Sequence, residues 1–332
     1  MAGGYVMLKQ NTDHLLNAAE PWVVYRSLLD LRELKENDPK VLKVKEQLLK
    51  HPLMQSVSRD LDGWPGMVIA SHKSAGQLYH KLEFLADIGL TSTDTNVSTV
   101  LKKMGERRSA EGLFQLPMNS SVHFGGTGKD TWSWALCDAP VLMYCAVKMS
   151  TADAESRKGV DFLFSLQKEN GWPCAVSKEH GKFRGPGRKD DPCPYVNLIM
   201  LKLFALFPEY KNSSAALTGV ECLLNCWETS KERHPYMFYM GTDFRKLKAP
   251  FIWYDILHVA DVLSRYDFAL KDPRFLEMLQ IINAKADKNG LFSAESIWQA
   301  WNGWDFAQKT KPSPWITFLM YRINKRAGKN IT

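Results

Sequence analysis

The densest run of reactive side chains lies between residues 177 and 195. There Lys178, His180, Lys182, Arg184, Arg188 and Lys189 stand just ahead of Asp190, Asp191, Cys193 and Tyr195. Gly185, Pro186 and Gly187 in the middle of this loop let the backbone approach a ligand closely. A basic loop feeding a helix N-terminus suits an anion such as a diphosphate, because the unpaired N–H groups and the positive dipole end face it. The adjacent carboxylates Asp190 and Asp191 are the candidate catalytic pair. Two carboxyl groups sharing one proton have one pKa raised, and the protonated member can act as a general acid. The competing reading is a solvated basic loop in which one of the two caps the next helix.

Other loops repeat the mixture of cations and aromatic rings. The stretch from His123 to Trp134 is glycine-rich and carries Lys129, without the spacing of a P-loop. Residues 234–248 end in Arg245, Lys246 and Lys248, residues 303–311 hold Trp304, Lys309 and Lys311, and His72-Lys73 stand alone. Arg184, Arg188, Lys189, Arg245 and Lys248 are the candidate anion-binding residues. Trp134, Tyr195, Trp253, Tyr254 and Trp315 are the rings expected to line a cavity. Such a rim would take an isoprenoid diphosphate, whose carbocations are stabilised by π faces, or a nucleotide or nucleic acid, whose bases would stack.

The elements that must position these groups follow from a recurring junction: a proline, then an aromatic or aliphatic residue, then an apolar helical run. It occurs at Pro21-Trp22, Pro140-Val141, Pro194-Tyr195, Pro250-Phe251 and Pro314-Trp315. Proline fits the first helical turn because its missing N–H has no intrahelical partner there. A further apolar helix without proline is expected at 74–90, giving six buried helices. More polar amphipathic helices are expected at about 39–57, 94–108, 152–168, 211–229 and 273–287. Several end in glycine turns, at Gly63-Trp64, Gly112-Leu113, Gly171-Trp172 and Gly290-Leu291. Helix pairs that cannot bury their own faces must stack or close into a ring. The loops that feed the buried helices would then converge on one mouth.

The 332 residues carry a net charge of +7, which favours an anionic partner without naming it. Six cysteines show no disulfide framework. No apolar run is long enough for a membrane span. The opening residues MAGGYVMLKQNTDHLL lack the features of a signal peptide, so a cytoplasmic location is expected. No linker divides the chain, and a single domain over 1–332 is expected.

The stretch from Gly159 through Gln167 to Gly171-Trp172 resembles the Gln-Trp repeat of squalene and oxidosqualene cyclases. The stretch from Phe183 to Tyr195 resembles the zinc segment of protein prenyltransferase β-subunits. The resemblance implies an all-α fold, an α/α toroid of about six inner and five to six outer helices, and chemistry on an isoprenoid diphosphate. It also makes Asp191 and Cys193 candidate metal ligands, with His258, His72 or His123 as the third, and leaves zinc or magnesium open as a cofactor. Both catalytic signatures are altered: Asp190-Asp191-Pro192 is one carboxylate short of the cyclase motif, and His258 lies beyond the position of the prenyltransferase histidine. Two other readings stay open: a nucleotide or nucleic-acid toroid, favoured by Asn197, Asp255 and His258 in otherwise apolar helices, and a carbohydrate lyase or hydrolase.

Overall fold

The computed structural model describes residues 12–94, 96–150, 153–183, 191–230, 232 and 238–328. The fold is mostly α-helical, with a single two-stranded sheet among the described residues. In chain order the longer helices are α1 (Pro21–Arg26), α2 (Pro39–Lys50), α3 (Pro52–Leu61), α4 (Leu78–Ile88), α5 (Val97–Gly105), α6 (Ala139–Met149), α7 (Ala154–Ser165), α8 (Pro194–Phe204), α9 (Ser214–Glu228), α10 (Ile256–Leu263), α11 (Pro273–Asn283) and α12 (Pro314–Arg326).

Proline opens α1, α8 and α12 and sits in the first turn of α6. Pro250 departs from the pattern. The chain stays irregular from 250 to 255, and α10 starts at Ile256. Asp255 supplies the start instead: its carboxylate accepts the N–H groups of Leu257 and His258, each at 3.0 Å. The expected outer helix at 39–57 is broken in two. Pro52 disfavours helical backbone at His51, whose ψ is 135°, and His51 Nδ1 then caps α3 by accepting the Leu53 N–H at 3.2 Å.

Helices α1, α4, α6, α8, α10 and α12 form a closed cycle of neighbours. Each packs against the next, and α12 returns to α1. Every residue of α8 is buried, as expected of a helix walled on all sides. The more polar helices each pack on one member of this cycle: α2 on α1, α3 on α4, α7 on α6, α9 on α8 and α11 on α10.

The Gln167–Trp172 stretch ties outer elements together. Gln167 Nε2 donates to the carbonyl of Ala215 at 2.9 Å, and Trp172 Nε1 donates to that of Leu163 at 2.9 Å. Between them Gly171 has φ 115°, and a Cβ there would meet Asn197 Oδ1 at 2.6 Å, so only glycine fits. Gly63 does not use the left-handed conformation; Gly66, three residues on, does.

The glycine-rich segment after Leu116 holds an element the sequence did not suggest. Strands β1 (Leu116–Asn119) and β2 (Asp130–Ser133) pair antiparallel, with Leu116 opposite Ser133. No helix among the described residues is long and apolar enough to cross a membrane.

Candidate functional site

The rings expected to line a cavity at the helix N-termini each pack against other aromatic side chains. Tyr195 is 1% exposed, stacks on Trp253 at 4.1 Å and donates its hydroxyl to the Ile252 carbonyl. Trp315 is buried against Phe84 and Phe318, and its backbone N–H is held by Asp305. Trp134 packs on Phe162, and Tyr254 on Phe238 and Phe244. Arg245 lies over the Trp227 ring at 4.8 Å and Lys248 over Trp298 at 4.5 Å, so both are committed to cation–π contacts. Arg184, Arg188, Lys189 and Asp190 lie outside the described residues. Asp191 is half-buried, and burial pushes the Cys193 thiol up to about 12, which disfavours the thiolate a metal would need.

The polar residues that interrupt the inner helices have internal roles. Asn197 grips Trp172, its Oδ1 accepting the backbone N–H at 3.1 Å and its Nδ2 donating to the carbonyl at 3.0 Å. His258 stacks on Phe251 at 4.5 Å, with Nδ1 3.0 Å from the Trp253 carbonyl. His72 Nε2 lies 2.8 Å from Asp138 Oδ2, and His123 sits in an exposed turn. Among the described residues no group of three His, Cys, Asp or Glu side chains is placed to hold a metal ion.

Among the described residues a cavity lies at the opposite end of the helices of the cycle. It measures about 410 Å³ and receives Arg26 from α1, Asp87 from α4, Tyr144 and Lys148 from α6, Ala205 after α8, Ser264 and Arg265 after α10, and Arg322 and Arg326 from α12. Five helices of the cycle thus bring their C-terminal ends to one place, and α1 brings Arg26, after which the chain continues as a π-helical segment to Leu31. Those ends are the negative poles of the helix dipoles, and cations in their last turns are stabilised there. Lys211, Asp267 and Leu270 complete the lining.

Two carboxylates, Asp261 buried and Asp30 half-buried, hold the arginines in position. Asp261, fully buried, accepts from Arg265 at 2.7 Å, Arg322 at 2.7 Å and Arg326 at 3.0 Å. Asp30 pairs with Arg26 and lies 3.4 Å from Arg322. Burial alone would raise both acids, but the arginines outweigh it: Asp30 falls to about 2 and Asp261 well below its usual range. Arg265 Nε and Arg322 Nε are buried without a partner among the described residues. Lys148 makes no ion pair with a carboxylate of a described residue. Burial, helped by Arg26 and Arg265 and opposed by Asp87 and Asp30, pushes its ammonium down to about 8.

A second charged group adjoins the cavity through Asp87 and Tyr144. Lys202 Nζ donates to Asp87 Oδ2 at 2.8 Å and Glu83 Oε1 at 2.7 Å, and Tyr144 donates its hydroxyl to Asp87 Oδ1 at 2.8 Å. Asp87 and Tyr144 therefore join the cavity wall to the buried axis and offer a carboxylate–phenol pair for proton transfer.

Local clustering in the sequence pointed to the loops and missed this site. Its signal was periodic: single charges at the ends of apolar helices, at Arg26, Lys148, Arg265 and Arg326. No known protein-family model matches the chain, and no curated protein matches its sequence.

Proposed function

We propose that the chain is an α/α toroid that binds an anionic substrate in the cavity formed by the C-terminal ends of its inner helices. The closed cycle of inner helices with polar helices outside supports the toroid. Lys148 carries the functional reading. A cation that lines a cavity without an ion pair to any described carboxylate, and whose pKa burial lowers and Arg26 and Arg265 lower more than Asp87 and Asp30 raise it, is left with charge that an anion can balance. Four arginines around it offer planar, multidentate donors suited to phosphate or carboxylate. The ligand is a compact molecule with a phosphate or carboxylate group, and Tyr144 with Asp87 is the pair able to move a proton on it.

Isoprenoid-diphosphate cyclisation or transfer is the narrower form of this proposal. Its diphosphate would rest on the same cations. Ala205 and Leu270 are the aliphatic members of the lining, so the cavity favours the charged head over a long prenyl chain.

Thermal unfolding with inorganic phosphate, pyrophosphate, prenyl diphosphates, nucleotides and short DNA tests the reading. A ligand at about 100 times its dissociation constant adds roughly 2.7 kcal/mol. Compact phosphates are expected to raise the melting temperature in wild type and much less in Lys148→Met. Absence of any shift with every polyanion would overturn the proposal.

A further inference from the structure

The cations around the cavity fall into two kinds. Arg26, Arg265, Arg322 and Arg326 each rest on Asp30 or Asp261. Lys148 lines the same cavity and makes no ion pair or hydrogen bond with a described residue. A purely electrostatic anion clamp is better built from arginine, which stays charged and offers a rigid fork of donors. Lysine in such a place gains something arginine lacks: with part of its population uncharged, it is a nucleophile.

Resting on the reading that this cavity holds an anionic substrate, we propose that Lys148 forms an imine with a small carbonyl compound bearing a phosphate or carboxylate group. The surrounding arginines would hold the anionic group and place the carbonyl carbon near the amine. The amine lone pair forms the N–C bond. The carbonyl oxygen takes one proton from the attacking nitrogen and one from hydronium in the solvent, then leaves as water. The product is an iminium ion with no net oxidation or reduction. Tyr144 stands one turn before Lys148 on α6, and its hydroxyl donates to Asp87, so a phenol and a carboxylate flank the position where the iminium would exchange protons.

The groups facing the amine are Arg26, Asp30, Asp87 and Arg265, with Lys211, Asp267, Arg322 and Arg326 on the remaining walls. Burial, with this balance of charges, lowers the pKa of the amine and enlarges its uncharged minority. With its pKa near 8, Lys148 holds on the order of a hundredfold more free amine at neutral pH than an ordinary lysine.

The test uses the full chain and pyridoxal 5′-phosphate, an aldehyde that carries a phosphate, followed by borohydride reduction and peptide mapping by mass spectrometry. Melting with inorganic phosphate is measured in parallel. The reduced adduct is expected on Lys148 at about tenfold or more the level on any other lysine, and inorganic phosphate should suppress it. Lys148→Arg should keep the phosphate-induced thermal shift and lose the adduct, which separates a nucleophile from a charge. Adducts spread over surface lysines, with the phosphate shift intact, would overturn the imine and leave the anion site standing. Neither shift nor adduct in wild type would overturn both.

Discussion

Lys202 Nζ on α8 lies 2.7 Å from Glu83 Oε1 on α4, although α6 stands between the two helices in the cycle of neighbours. The pair therefore joins two helices that are not neighbours in that cycle, and both side chains are almost wholly buried, at 1% and 2% exposure. Asp87, one turn after Glu83, takes a second bond from the same ammonium at 2.8 Å. Burial would raise the Glu83 carboxyl, but Lys202 and His80 more than reverse this and hold it near 2. One lysine thus sets the spacing of two inner helices and the charge state beneath the cavity.

Lys202→Met should destabilise the protein by about 3–5 kcal/mol, because it leaves two carboxylates uncompensated in the interior. Adding Glu83→Gln should recover part of that loss, since the partners act as one unit. Denaturant midpoints of the two variants check this. Equal midpoints for the single and double variants would show that the pair is not coupled.

Much of the scaffold was legible because its signals are local. A proline in the first turn marks α1, α6, α8 and α12 whatever the rest of the chain does. Pro250 misled because Asp255 sets the start of α10. The β1–β2 hairpin escaped because its strands have four residues each and flank a glycine-rich loop. The site was harder for a different reason. Arg26 and Arg326 stand 300 positions apart, and only closure of the helix cycle brings them to one cavity. Dense runs of charge such as 177–195 draw attention, whereas single charges on apolar helices read as exceptions until the fold aligns them.

His258 should make stability depend on pH. Burial, reinforced by Lys202, lowers its pKa from 6.5 to about 4. Between these values the unfolded chain binds the extra proton, so this contribution is complete above about 6.5 and is lost as pH falls toward 4. Its full size is about 3 kcal/mol. Unfolding midpoints of wild type and His258→Phe, measured from pH 4 to 7, should differ by a changing amount across that range. A constant difference would contradict the assignment.

Asn197 offers a test of the Trp172 anchor. Asn197→Ala removes the acceptor of the buried Trp172 N–H and leaves a void, for a cost of about 2–3 kcal/mol. Asn197→Asp should cost more, because the oxygen replacing Nδ2 would face the carbonyls of Trp172 and Cys193, which now accept at 3.0 and 2.9 Å. Reversal of that order would show that volume rather than hydrogen bonding matters at this position.

Asp261 links the stability of the fold to the charge of the cavity. It is fully buried, and Arg265, Arg322 and Arg326 all lie within 3.0 Å of it. Asp261→Asn keeps the shape, removes the charge and leaves three guanidinium groups repelling one another, so a loss of about 3–5 kcal/mol is expected. An anion in the cavity can replace part of the missing charge, because the same arginines line its wall. Inorganic phosphate should therefore raise the melting temperature of Asp261→Asn more than that of wild type, since differential affinity for the folded state appears directly as stability. Equal shifts in the two proteins would mean that the arginines held by Asp261 do not form part of the anion site.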